Sequence, residues 1–281
     1  MSGQLIDGNK ISEIIETRTA KKVANLKKAG ISVKLAVILV GEDKPSQTYV
    51  KRKELAAKRV DIDFELHQFD AKISKEDLIK NVQKIQTDEK LTGLIVQLPL
   101  PEPLFTTDVL NAIHPEIDVD CLTDINLGKL VMKTNIIVPP TPGAVITILK
   151  EIGTDLVGKN VTIIGTGALV GKPLAIMMIN EGASITTVNS HTHNTKEKCL
   201  SADIIVTGVG KKNLLRGDMI KPGAIVIDTG VDFENDKMYG DVNVKEALKN
   251  ASFVTPTPGG VGPNTVARLL WNTAICAEKL N

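Results

Sequence analysis

Aromatic side chains are scarce in this chain: Phe, Trp and Tyr make up only 3% of 281 residues. Few flat rings are therefore present to stack on the bases of single-stranded nucleic acid. An excess of one charge is lacking as well. The 34 Lys and Arg against 33 Asp and Glu leave a net charge of +1, which argues against broad attraction to nucleic acid or an anionic membrane surface. The three cysteines, Cys121, Cys199 and Cys276, lie far apart with no metal-ligand spacing. Free thiols in a reducing compartment fit them better than a disulfide framework. No apolar run approaches the roughly 20 residues of a membrane-spanning helix. Met1 to Asp7 lack a basic segment followed by an apolar one, so no signal peptide is expected. These absences point to a soluble cytoplasmic protein that binds neither nucleic acid nor membrane.

A hydrophobic content of 42% is enough for two domains of ordinary size. Short β-rich runs alternate with helical patterns through both halves of the chain. Residues 35–40 read as a buried strand ended by Gly41, and residues 46–59 as a helix with Ser46 as its N-cap. Residues 64–69 read as a second strand. Ser74 followed by Asp77 forms a capping box for the next helix. Residues 93–98 form a third strand, closed by Pro99. This β-α-β-α-β order predicts a mostly parallel sheet with helices on both faces.

In the second half, strands are expected at 161–164, 184–188, 204–207, 224–228 and 253–255, with helices starting near Gly171 and Lys196. Residues 138–143, with three prolines, read as a rigid joint, and 143–152 as a helix. Residues 265–280 form an amphipathic helix placed to cross back onto the first domain. The expected fold is therefore α/β with two domains. An N-terminal catalytic domain covers 1–140 with the returning helix 266–281, and a Rossmann-like dinucleotide-binding domain covers 141–265.

The strand at 161–164 runs into Gly165-Thr166-Gly167-Ala168-Leu169-Val170-Gly171-Lys172-Pro173. A strand, a glycine turn and a helix start in that order let backbone N–H groups and the helix N-terminus meet a pyrophosphate. The third glycine falls one residue later than in the common spacing, and a glycine turn that binds nothing is the alternative. About 20 residues past such a turn a carboxylate usually takes the adenosine ribose. Here Asn189-Ser190-His191-Thr192-His193 supplies no acid but several donors, which tilts the choice toward NADP. Exposed loop positions remain the simpler account of the two histidines.

Tyr49 and Lys53 lie four apart and share one helix face. They form either a pocket wall or a solvated face. Gln97 sits at a strand's carboxyl end, where open α/β sheets place ligand contacts, or is an ordinary strand-end residue. Asp118 and Asp120 flank Val119. In an extended segment both carboxylates point to one side, although turns also collect Asp for local hydrogen bonds. No His or third acid stands nearby at a metal spacing, so no metal is expected. Residues 255–263 are too rich in Pro and Gly for a helix or central strand, and read as a shaped loop that approaches a ligand or as a plain interdomain turn.

Taken together, these motifs resemble the bifunctional methylenetetrahydrofolate dehydrogenase/cyclohydrolase family essentially end to end. The likeness is carried by Pro45-Ser46-Gln47-Thr48-Tyr49-Val50 with Lys53, by 93–101, and by Asp118-Val119-Asp120. It continues through Gly165 with Val170-Gly171-Lys172-Pro173, through 202–206 and Gly240-Asp241-Val242, and through Pro258-Gly259-Gly260-Val261-Gly262-Pro263 with Thr265. The resemblance implies oxidation of 5,10-methylenetetrahydrofolate to the 5,10-methenyl form with NADP⁺, then hydrolysis to 10-formyltetrahydrofolate. It implies Lys53 as the central catalytic group, Gln97 as its positioner, Tyr49 stacked on the aminobenzoyl part of folate and Asp120 bonded to the pterin. Pro258 and Gly259 are further folate contacts on this pattern. Gly165, Thr166, Gly167, Ser190 and Val231 are the nucleotide contacts, and the family is homodimeric.

Three departures stand out. The family usually has Gly-Arg-Ser at Gly165-Thr166-Gly167, and the Arg binds the NADP 2′-phosphate. It usually has His-Ser at Asn189-Ser190, and Gly at Cys121. The first two keep NAD open as the cofactor. The alternatives are an NAD-dependent or monofunctional dehydrogenase, or a nucleotide- or folate-binding protein without turnover.

Overall fold

The computed structural model describes residues 3–104, 106–234 and 237–280. Met1, Ser2 and Asn281, the outer limits of the expected domain ranges, lie outside them. The first half runs β1 (Gln4–Leu5), α1 (Gly8–Lys28), β2 (Lys34–Val40), α2 (Lys44–Arg59), β3 (Asp63–Phe69), α3 (Lys75–Ile85), β4 (Gly93–Val96), α4 (Thr107–Asn111) and α5 (Asp124–Val131). The second runs α6 (Pro140–Glu151), β5 (Asn160–Ile164), α7 (Gly171–Asn180), β6 (Ser184–Val188), α8 (Thr195–Ser201), β7 (Ile204–Thr207), β8 (Ile225–Asp228), β9 (Asp232–Glu234), β10 (Lys237–Tyr239), α9 (Val244–Ala247), β11 (Phe253–Val254) and α10 (Val261–Leu280).

The chain divides into two compact units. One is Glu13–Pro140 with the chain from Val266 onward; the other is Thr141–Thr265 with the chain up to Ser12. The first holds a three-stranded parallel sheet in the order β3-β2-β4. Its central strand is apolar at every position after Lys34 because both faces are covered. Leu35, Val37 and Leu39 pack on one face with Ile95 and with Leu269, Leu270 and Ala274 of α10. Ala36, Ile38 and Val40 pack on the other with Leu78, Val82 and Leu94. Gly93 sits where α10 comes close, since a Cβ there would stand 3.0 Å from the Thr273 and Val119 methyls.

The helix expected from Ser46 starts earlier. Asp43 is its N-cap, accepting the Ser46 N–H at 2.8 Å, and Pro45 occupies the first turn. Proline favours that position because its missing N–H has no helical partner to lose. Ser74 caps α3 as expected, through the Asp77 N–H.

The other unit holds a six-stranded sheet in the order β1-β11-β8-β7-β5-β6, parallel throughout. The chain steps from β5 outward to β6, then back across β5 to β7, so the direction of winding reverses between β5 and β7. Ligands of open α/β sheets bind at such a switch point, beyond the strands' carboxyl ends. Two corrections follow. The N-terminal residues, expected with the first domain, join this sheet through β1, whose Gln4 and Leu5 register with Phe253 and Val254. The proline-rich joint is helical from Pro140 onward, since prolines fit a helix's first turn. The same reason lets α10 begin at Val261, inside the segment expected to be loop. Among the described residues no helix is long and apolar enough to cross a membrane, and no cluster of three His, Cys, Asp or Glu is placed to hold a metal ion.

Candidate active site

In the unit built on β3-β2-β4, three elements bring Lys53, Gln97 and Asp120 together. Helix α2 buries a stripe of Ser46, Val50, Lys53, Ala56 and Ala57, spaced for one helix face. Lys53 is thereby only 9% exposed. Gln97 follows β4, its backbone N–H still bonded to Ile38 O at 2.8 Å. Its side chain bridges outward, with Oε1 accepting from Lys53 Nζ at 2.9 Å and Nε2 donating to Leu98 O at 2.7 Å. The turn carrying Asp120 is pinned to β4 by a bridge between Leu94 and Asp118.

The electrostatics of this cluster are coupled. Burial lowers the Lys53 ammonium below its ordinary pKa, and the nearby Asp120 charge opposes that shift. Burial pushes the Asp120 carboxyl up to about 6, with Lys53 holding it down and Asp118 adding to the rise. Both groups therefore move toward neutral pH, where proton transfer is most efficient. Tyr49 lies one turn from Lys53 and is half-buried, which raises its phenol above the usual value. The Arg52 guanidinium sits 5.7 Å from the centre of its ring. Ser46 Oγ is buried on the same stripe without a hydrogen-bond partner, although the sequence pattern pointed to a helix cap.

Asp118 and Asp120 do not act as a pair on one side of a strand. The segment turns, and Cys121 takes a left-handed φ of 57°. Asp118 is consumed by structure, accepting from Thr123 N at 2.9 Å, Leu122 N at 3.3 Å and Asn126 Nδ2 at 3.0 Å. Asn272 of α10 braces the same turn from below. Its Nδ2 donates to Val119 O at 2.9 Å and Val138 O at 2.8 Å. Nothing local in sequence marks Asn272, because both of its partners are backbone carbonyls more than a hundred residues away.

In the other unit, the expected nucleotide contacts gather beyond the carboxyl ends of parallel strands. Gly165, after β5, has a φ of 108°, and a Cβ there would stand 2.6 Å from Gly208 O. A Cβ at Gly171, the first residue of α7, would stand 1.9 Å from Gly165 O. Both glycines are thus required by close backbone approach. Gly167 is exposed with nothing within 4 Å of its Cβ position. The α7 N-terminus has no side-chain cap; its Lys172 and Leu174 N–H groups already bond to Gly167 O and Val170 O and Pro173 has none, so the helix end offers an anion chiefly its dipole. This turn fits a dinucleotide pyrophosphate. Half-buried Thr166 lies within it, Ser190 is exposed after β6, and Val231 is exposed after β8. His191 and His193 are exposed in the β6–α8 loop. Pro258 and Gly259 lie in this unit's β11–α10 loop, with Gly259 O accepting the Gly8 N–H at 3.0 Å.

Comparison with known proteins decides what these two arrangements belong to. Residues 6–120 match the tetrahydrofolate dehydrogenase/cyclohydrolase catalytic domain, and residues 139–281 match the NAD(P)-binding domain of the same family. The chain belongs to the tetrahydrofolate dehydrogenase/cyclohydrolase family. It is 39% identical over 280 residues to the bifunctional protein FolD of Bacillus subtilis, covering 99% of each chain. It is similar to the bifunctional FolD of Campylobacter jejuni, with a TM-score of 0.96 and 38% identity over 99% of both chains. It is also similar to the Trypanosoma brucei FolD solved with NADP and an inhibitor, with a TM-score of 0.95 and 34% identity over 99% of this chain and 98% of that one. As a family member, this chain is a methylenetetrahydrofolate dehydrogenase and methenyltetrahydrofolate cyclohydrolase with an NAD(P)-binding domain.

Proposed function

We propose that Lys53 carries the proton chemistry of methenyl hydrolysis, and that the dehydrogenase uses NADP⁺. The observation that supports this most is the buried Lys53 Nζ held 2.9 Å from Gln97 Oε1 with Asp120 in electrostatic reach. An amine in water would stay protonated at neutral pH, and burial shifts this one toward the range in which it gains and loses a proton. Gln97 fixes its direction. In hydrolysis, water adds to the methenyl carbon and its oxygen gives up two protons; Lys53 moves one of them to the departing ring nitrogen, and the other is released to solvent. Asp120 accepts the pterin ring N–H and amine, and Tyr49 stacks on the aminobenzoyl ring, with Pro258 and Gly259 as further folate contacts. The nicotinamide, when bound, takes the hydride from the methylene carbon. The protein's part there is to hold it, through Gly165, Thr166, Gly167, Ser190 and Val231.

NAD⁺ use is the second reading, favoured by Thr166 where the family usually has a 2′-phosphate-binding arginine. Purified protein given 5,10-methylenetetrahydrofolate with either nucleotide tests both. Methenyl absorbance should rise faster with NADP⁺ and then decay; faster oxidation with NAD⁺ reverses the cofactor assignment. We further propose a cytoplasmic homodimer. Light scattering at one protomer's mass would remove the dimer.

A further inference from the structure

Asp228 ends β8 and Asp241 follows β10, and both are essentially fully buried. Among the described residues no Lys, Arg or His forms an ion pair with either. Their charge is met instead by hydrogen-bond donors. Asp241 accepts from Val209 N and Lys211 N, both at 2.7 Å. Asp228 Oδ1 accepts from Thr207 Oγ1 at 3.0 Å, Gly230 N at 2.9 Å and Asp241 N at 3.2 Å, and its Oδ2 accepts from Val242 N at 3.0 Å. Two glycines make room for the carboxylates. A Cβ at Gly230 would stand 2.2 Å from Asp241 Oδ1, and one at Gly240 would stand 2.0 Å from Asp228 Oδ2.

The backbone tied down in this way forms the loops after β7 and β8. These are residues 208–211, whose Gly208 carbonyl packs on Gly165 of the glycine turn, and residues 229–231. A Cβ at Gly210 would meet Val231 O at 3.1 Å, so the two loops also rest on each other. Two buried anions without a cation are a costly way to close loops, and backbone donors are what make them tolerable. We infer that Asp241, together with Asp228, is a positioning residue for the dinucleotide, setting the two loops that flank the glycine turn. This rests on the dinucleotide reading of the unit.

The enzyme's two activities separate positioning from folding, because methenyl hydrolysis requires no nucleotide. Asp241→Asn keeps the volume but turns one acceptor into a donor that faces a backbone N–H. One buried donor left unpaired corresponds to about tenfold or more in affinity. The KM for NADP⁺ or NAD⁺, whichever the enzyme uses, should rise about tenfold, with nucleotide-free methenyl hydrolysis unchanged within about twofold. Thr207→Val removes one neutral donor to Asp228 at constant shape and should raise the nucleotide KM about threefold. If Asp241→Asn is insoluble, Thr207→Val decides alone. An unchanged nucleotide KM overturns the inference. Equal loss of oxidation and hydrolysis overturns it too, since the network would then only hold the chain folded. A parent enzyme that hydrolyses methenyltetrahydrofolate but binds neither nucleotide by calorimetry removes the dinucleotide reading itself, and the inference with it.

Discussion

Replacing Gln97 with methionine tests how far Lys53 depends on its hydrogen bond to Gln97. The substitution nearly preserves volume but removes Oε1, which lies 2.9 Å from Lys53 Nζ. It also removes the Nε2 bond to Leu98 O. A hydrogen bond to a charged group contributes about 1.5–3 kcal/mol net, and one pKa unit corresponds to about 1.4 kcal/mol. The acceptor stabilises the ammonium over the amine, so losing it lowers the Lys53 pKa further. The lysine also loses its direction. Cyclohydrolase kcat/KM should fall about 10- to 100-fold, and the basic limb of its pH profile should move to lower pH. The assay is the decay of methenyltetrahydrofolate absorbance across pH, with nucleotide binding as a control that should not change. A basic limb at its original pH with a rate within about threefold of the parent would refute the assignment of Gln97 as positioner.

Asp120, at about 6 in the folded protein, is protonated below that pH and cannot accept both pterin donors. The kcat/KM for methylenetetrahydrofolate should therefore rise with pH through about 6 and level off above it, and Asp120→Asn should lack this limb when both are assayed between pH 5 and 8. Gly165→Ala places a Cβ at a φ of 108° and 2.6 Å from Gly208 O. Strain of about 1–3 kcal/mol is expected, read as at least tenfold weaker nucleotide binding by calorimetry while methenyl hydrolysis persists. Asn272→Leu leaves the Val119 and Val138 carbonyls without their donor. A loss of about 2–4 kcal/mol in denaturant unfolding and a raised folate KM should follow; unchanged stability would show that the turn does not need the brace.

Much of the fold was legible in the chain because its central strands carry a plain signal. In residues 35–40 and 93–96 every side chain is apolar, and the structure buries them on alternate faces of one sheet. Lys53 and Tyr49 were legible as helix neighbours, and Gln97 as a strand-end polar group. Other features depend on competition between equivalent local signals. Asp43 and Ser46 both suit a helix cap, and Pro45 settles the choice by occupying the first turn. Asp118 and Asp120 look alike in sequence, yet the chain turns between Asp118 and Cys121 so that the Leu122 and Thr123 N–H groups return to Asp118 while Asp120 faces Lys53. Asn272, Asp228 and Asp241 were not legible as positioning groups at all. Their partners are mainly main-chain atoms brought close only by the folded topology, and no residue pattern encodes such partners.

The central claim is that one buried lysine serves the folate chemistry while a separate glycine turn holds the nucleotide. Lys53→Ala, assayed for methenyltetrahydrofolate hydrolysis and for nucleotide binding on the same preparation, tests it most directly. The account predicts hydrolysis reduced at least about a thousandfold, to the uncatalysed background, with nucleotide affinity within twofold of the parent. Hydrolysis at the parent rate would contradict it.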